Sequence, residues 1–117
     1  MKKRIVWFDA NGLPGDEQAL GPAILDRLER EPERLPLESF CEEGGWPGPW
    51  RAHIDAIRKS GSGVIVVLSV SFAERVSACC DLGSAKEEMG YHEILRYGRL
   101  EIHLEPQAGR LSVQPLP

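Results

Sequence analysis

The stretch Val64-Ile65-Val66-Val67-Leu68 constrains this chain more than any other segment. It is an unbroken apolar run, and its first four residues are β-branched. That composition favours a strand covered on both faces, at the centre of a sheet. The run is far too short for a membrane span, which needs roughly 20 apolar residues. Beyond it, Val70 and Phe72 alternate with Ser69 and Ser71, so one face of the strand turns polar.

The remaining pattern supplies partners for this strand. Ile5 to Phe8 reads as a first strand, ended by the turn formers Asp9 to Gly15. A helix follows, with Leu20, Ile24 and Leu28 on one face, Pro22 near its start and Pro32 as its stop. Leu35 to Phe40 reads as a short edge strand. Cys41 to Trp50 is a loop by composition. Pro49 is expected to open a second helix, with Trp50, Ile54 and Ile57 on its apolar face and Ser60-Gly61-Ser62-Gly63 as its stop. Arg75 to Cys80 alternates as an antiparallel strand would. Ser84-Ala85-Lys86-Glu87 fits a capping box for a helix reaching Tyr97, the alternative being a strand from Tyr91 to Tyr97. Leu100, Ile102 and Leu104 alternate with Glu101, His103 and Glu105, and Leu111 and Val113 return after Gln107-Ala108-Gly109. The expected fold is one α+β domain over residues 1–117. Two or three helices pack on a largely antiparallel or mixed sheet of four to six strands, ending in a β-hairpin.

A chain of 117 residues that is 42% hydrophobic and 27% charged can close one core. Asp9 interrupts the apolar stretch after the basic Lys2-Lys3-Arg4, so a secretory signal is not expected and the cytoplasm is. Three cysteines, Cys41, Cys79 and Cys80, do not make a disulfide framework, and reduced thiols are expected. The net charge of −4 is uneven. From Ile5 to Trp50 there are ten acids against three bases; from Arg51 onward eight acids meet eight bases. An acidic half repels nucleic-acid phosphate and attracts basic surfaces.

Four groups of residues bear on chemistry. Asp9 follows an apolar strand, where open sheets often place ligands. Phe8-Asp9-Ala10-Asn11-Gly12 resembles the opening of haloacid-dehalogenase-type phosphatases and the Asp-x-Asn opening of PIN-domain nucleases. The first pattern calls for a second aspartate where this chain has Asn11. The second calls for further carboxylates, for which Glu42, Glu43 and Asp81 are on offer. The competing reading of Asp9 is an Asx turn that ends the strand. Cys79 and Cys80, as strand neighbours, point to opposite faces, and His53, His92 and His103 lack ligand spacing, so no metal site is expected. Ser60 to Gly63 stands before a strand, the wrong order for a phosphate cradle.

The fourth group is the loop itself. Trp46 and Trp50 flank Pro47-Gly48-Pro49, just after Glu42 and Glu43. Tryptophan is enriched in binding hot spots, and adjacent carboxylates steer a basic partner. Trp50 also has a packing role open to it, and the exposure of Trp46 is not fixed by sequence.

No family is identified. The expected function is a small, non-catalytic interaction protein that binds a basic protein through an acidic surface containing Glu42, Glu43, Trp46 and Trp50. An inhibitor or immunity-type neutraliser of a toxin or nuclease is the concrete version. The alternative is a metal-dependent phosphoryl-transfer or hydrolytic enzyme centred on Asp9 and Asn11, so enzymatic activity stays open, with the non-catalytic reading preferred. No cofactor, nucleic acid or membrane partner is expected, and homo-oligomerisation is left open.

Overall fold

A computed structural model describes residues 4–61, 63–77 and 91–117. Five strands form one antiparallel sheet: β1 (Val6–Asp9), β2 (Trp46–Ser60), β3 (Gly63–Ser77), β4 (Tyr91–Glu105) and β5 (Arg110–Pro115). Their order is β1-β5-β4-β3-β2. Among the described residues there is one α-helix, α1 (Glu17–Glu29), and two short 3₁₀ turns, Pro32–Arg34 and Leu37–Phe40. The chain is therefore mostly antiparallel sheet, and the expectation of two or three helices on a sheet is corrected.

The helix stands where its periodicity placed it. Asp16 caps it by accepting from the Gln18 amide, and Leu20, Ile24 and Leu28 are buried against the sheet. Gly21 brings α1 close to the Ile54 and Ile57 side chains of β2. No helix among the described residues is long and apolar enough to cross a membrane.

The expected second helix is strand β2, and a bulge explains the misreading. Trp50, Ala52 and Ile54 face Phe72, Val70 and Leu68 in register. Asp55 is then skipped, Ala56 meets Val67, and Ile57 returns to the core face opposite Val66. A strand with one extra residue thus spaces Trp50, Ile54 and Ile57 as a helix would. At the supposed helix stop, Ser60 instead pairs with Gly63 where the chain passes from β2 to β3, with Gly61 at φ +60.

Two further elements differ from expectation. Leu35, Pro36 and Leu37 are all buried, so the segment has no alternating faces, and the 3₁₀ turn Leu37–Phe40 stands where an edge strand was expected. Of the two readings of the segment before Gly98, the helix is corrected and the alternative, a strand from Tyr91 to Tyr97, is the one found, within a β4 that runs on to Glu105. The expected capping box at Ser84 and the cysteine pair Cys79-Cys80 lie outside the described residues. So does the end of the Arg75–Cys80 strand, whose described part, to Ser77, continues β3.

β3 lies between β2 and β4, with Val66, Val67 and Leu68 buried. One face of the sheet carries the core: Val6 and Phe8, Leu111 and Val113, Leu100 and Ile102, Val66 through Phe72 at every second residue, and α1 above them. Among the described residues no helix packs on the opposite, open face, which presents Trp7, His103, Glu101, Arg99, Tyr97, Ser69 and His53. Strands β2, β3 and β4 are 15 residues each, while β1 and β5 have four and six. The long strands therefore project beyond the short ones, and the molecule measures 56 × 24 × 21 Å.

Candidate interaction site

The projecting end of the sheet holds an interior carboxylate. Glu74 follows Val66, Leu68, Val70 and Phe72 at two-residue steps, so the pleat aims it into the core face. It is fully buried. An unpaired carboxylate there would be very costly. Four donors meet it. Oε1 accepts from the Glu42 amide at 2.9 Å and from Arg96 Nε at 2.8 Å. Oε2 accepts from the Glu43 amide at 3.1 Å and the Gly45 amide at 2.8 Å. Burial alone would push the Glu74 carboxyl up; the Arg96 guanidinium and the three amides outweigh it and hold the carboxyl down at about 2.

These bonds pin the loop from Cys41 to Gly45 onto the end of the sheet. Glycine is required at two points. Gly44 has φ +75, and a side chain on Gly45 would collide with the Arg75 carbonyl. Cys41, at the head of the loop, is half-buried, and burial first, with the Glu74 charge next, pushes its thiol up to about 11. It is an inert packing residue.

The loop presents the expected acids to solvent. The Glu42 side chain is 74% exposed and that of Glu43 58%, and both reach toward Arg96, at 3.5 and 3.9 Å. Trp46 is 46% exposed and pairs in register with Arg75, which bridges to Glu93 at 3.2 Å. That register puts Trp46 on the open face, whereas Glu42 and Glu43 approach Arg96 on the core face. The two halves of the expected patch thus straddle the start of β2. Trp50 is not part of it: its ring packs on the core and its Nε1 donates to the Pro32 carbonyl at 3.0 Å.

Asp9 and Asn11 form a turn. Asp9 Oδ1 accepts from the Asn11 amide at 3.1 Å and from Asn11 Nδ2 at 2.8 Å. Arg27 of α1 then donates to the carbonyls of Asp9 and Asn11, at 2.6 and 3.1 Å. Of the carboxylates offered alongside Asp9, Glu42 and Glu43 sit at Arg96, and Asp81 lies outside the described residues. Among the described residues no three His, Cys, Asp or Glu side chains gather as metal ligands would.

Two groupings had no place in the sequence reading. One is Glu74 with Arg96; each continues the core-facing parity of its strand, which is the signal that could have found them. The other lies on the open face, where the β2 bulge aims Asp55 at Ser69, His53 and Arg99, at 2.5, 3.3 and 3.6 Å. The Ser69 hydroxyl above all holds the Asp55 carboxyl below its ordinary range. The Ser69 hydroxyl here donates to an aspartate rather than to a histidine. No known family model matches the chain, and neither a curated protein sequence nor a solved structure is found to be similar to it.

Proposed function

We propose that this chain is a small, non-catalytic binding protein of the cytoplasm that engages a basic protein partner through the pinned loop. Glu42 and Glu43 supply the charge and Trp46 the aromatic contact at its border. An inhibitor or neutraliser of a toxin or nuclease is the concrete form of this reading. The observation that carries it is the ordering of an exposed acidic loop by an interior carboxylate. Three of the four hydrogen bonds to Glu74 hold the amides of residues 42–45, and the Glu42 and Glu43 side chains so held point to solvent. A loop fixed before binding loses little entropy on binding. Trp50 leaves the partner surface in this reading and serves the core. The enzyme reading has nothing comparable in its favour, since the Asp9 carboxylate is engaged by Asn11.

Binding kinetics against a partner captured from the source lysate, at low and high salt, test the proposal. Replacing Glu42 and Glu43 by Gln is expected to slow association and flatten its salt dependence, because screening shortens charge steering to about 8 Å at physiological ionic strength. Trp46→Ala is expected to speed dissociation, by about tenfold or more if the ring is an anchor. A partner that binds these variants like the parent, with no response to salt, overturns the assignment.

A further inference from the structure

Two hollows meet on the open face of the sheet, and the paired register builds them. Arg51, Ser71 and Tyr97 make one row across β2, β3 and β4, and His53, Ser69 and Arg99 make the next. In both rows a short serine stands between longer side chains, so the face dips along β3 between flanks about 10 Å apart. The first hollow, about 270 Å³, lies between Arg51, Ser71 and Tyr97. The second, about 740 Å³, starts at His53 and Arg99 and continues past Gly98 to Phe40 and Pro117. His53, Ser69, Val70 and Tyr97 line both, so the two adjoin.

The two ends of this space differ in chemistry. The far end is apolar: Phe40 lies over Gly98, where any side chain would collide with it, and Leu116 and Pro117 close the wall. The near end is cationic. Arg51 is exposed and makes no hydrogen bond or ion pair among the described residues. Arg99 Nε stands 3.6 Å from Asp55, longer than a hydrogen bond, so the guanidinium keeps donors to offer. Asp55 itself is occupied: Ser69 donates to one oxygen at 2.5 Å, and His53 Nε2 stands 3.3 Å from the other. The next acids along β4 turn elsewhere, Glu93 to Arg75 at 3.2 Å and Glu101 to His103 at 2.9 Å. Two arginines against one engaged aspartate leave the near end positive, in a chain whose net charge is −4. Between the ends stands the Tyr97 ring, 71% exposed.

We infer that this space is a binding site for a small aromatic carboxylate. Arg51 and Arg99, set diagonally across the serines, receive the carboxylate, and the ring lies along Tyr97 toward Phe40. Guanidinium groups match a carboxylate with paired hydrogen bonds. A recess of several hundred Å³, mostly apolar and with a few convergent polar groups, is the ordinary form of a small-molecule site. One negative charge suits it better than the two of a phosphate monoester, because the second would be set toward Asp55. Neither Glu42 nor Glu43 lines the space, so the inference is independent of the loop proposed above to bind a basic partner.

Amide chemical shifts of the nitrogen-labelled full chain, titrated with naphthoate as the probe, test it. Shifts are expected to concentrate at Ser69, Ser71, Tyr97, Gly98 and Arg99, with a dissociation constant on the order of 1 mM for a probe this small. Naphthamide has the same shape without the charge and is expected to bind about tenfold more weakly. Arg51→Gln and Arg99→Gln are each expected to weaken naphthoate by about threefold to tenfold and to leave naphthamide unchanged. Both side chains are exposed, so the circular dichroism spectra are expected to match the parent's. Tyr97→Ala is expected to weaken both probes. Naphthoate that leaves these amides unmoved at tens of millimolar overturns the inference. Equal binding of acid and amide overturns it too, as does a double variant, R51Q with R99Q, that binds naphthoate like the parent. Naphthyl phosphate is expected to bind no better than naphthoate, and a preference for it of about tenfold overturns the carboxylate assignment.

Discussion

Replacing Glu74 by glutamine tests whether the interior carboxylate holds the loop. The change keeps the shape and removes one acceptor. Glu74 offers two oxygens to four donors, two on each. Glutamine offers one oxygen, so two donors are left facing an NH₂ group. If the carbonyl stays with the Glu42 amide and Arg96, the amides of Glu43 and Gly45 lose their acceptor. Each unsatisfied buried donor costs roughly 1–3 kcal/mol, and bonds to a charged acceptor lie toward the upper end. The loop's outer side is wet, so water recovers part of this, and a net loss of about 2–4 kcal/mol is expected. For a chain of this size that lowers the melting temperature by on the order of 10 °C. Urea denaturation of parent and Glu74→Gln measures it, with unchanged m values showing that the folded state is otherwise preserved. Arg96→Met should cost at least as much, since it leaves the buried Glu74 carboxylate with its three amides but without its cation. In a double-mutant cycle the two changes should couple, because they share one acceptor. A Glu74→Gln loss below about 0.5 kcal/mol would show that solvent replaces the carboxylate freely, and the loop would not be pinned as described.

The same group predicts an acid response. The folded Glu74 carboxyl titrates at about 2, below its ordinary value of 4.5. Its contribution is therefore fully present above pH 4.5 and is lost as pH falls toward 2. The stability gap between parent and Glu74→Gln should narrow across that window; a gap that is constant from pH 6 to pH 2.5 contradicts the assignment. Gly98→Ala tests the packing of the Leu37–Phe40 turn on β4, because an added Cβ would stand 2.5 Å from Phe40 Cε2. A loss of about 1–3 kcal/mol is expected. Adding Phe40→Leu should recover part of it, and an unchanged urea midpoint for Gly98→Ala alone would show that the ring yields freely.

The sequence carried the one-sided elements plainly. Leu20, Ile24 and Leu28 could only be a helix face, and Leu100, Ile102 and Leu104 could only be alternate strand positions with Leu111 and Val113 to return against. β2 was hidden for a physical reason. A bulge at Asp55 adds one residue to a period of two, and over Trp50 to Ile57 the result matches a period of 3.6. Register with a neighbouring strand separates the two, and that is not a local property. Of the candidate site, the exposed residues were legible in the sequence. Glu42, Glu43 and Trp46 stand out by residue type and neighbourhood. Glu74 and Arg96 do not, because a charged residue near the end of a strand reads as a solvated one. Only the parity of Phe72 with Glu74, and of Gly98 with Arg96, places both on the core-facing side, and only the paired register sets them beside each other.

The charge asymmetry changes meaning once the pairs are known. Between Ile5 and Trp50 several acids have cationic partners: Asp26 with Arg30, Glu31 with Arg34, and Glu38 with Arg4. These exposed pairs dissipate the balance of ten acids against three bases over much of the surface. The loop is different. Glu42, Glu43 and Glu74 share one guanidinium, that of Arg96, so the group keeps two net negative charges in a small space. Backbone amides, which carry no net charge, supply the other bonds to Glu74. An interior arginine or an apolar anchor could also have fixed the loop, but either would have left it less negative. Using a carboxylate as the anchor fixes the loop and adds to its field with the same residue, and the proposed binding of a cationic partner would draw on both effects.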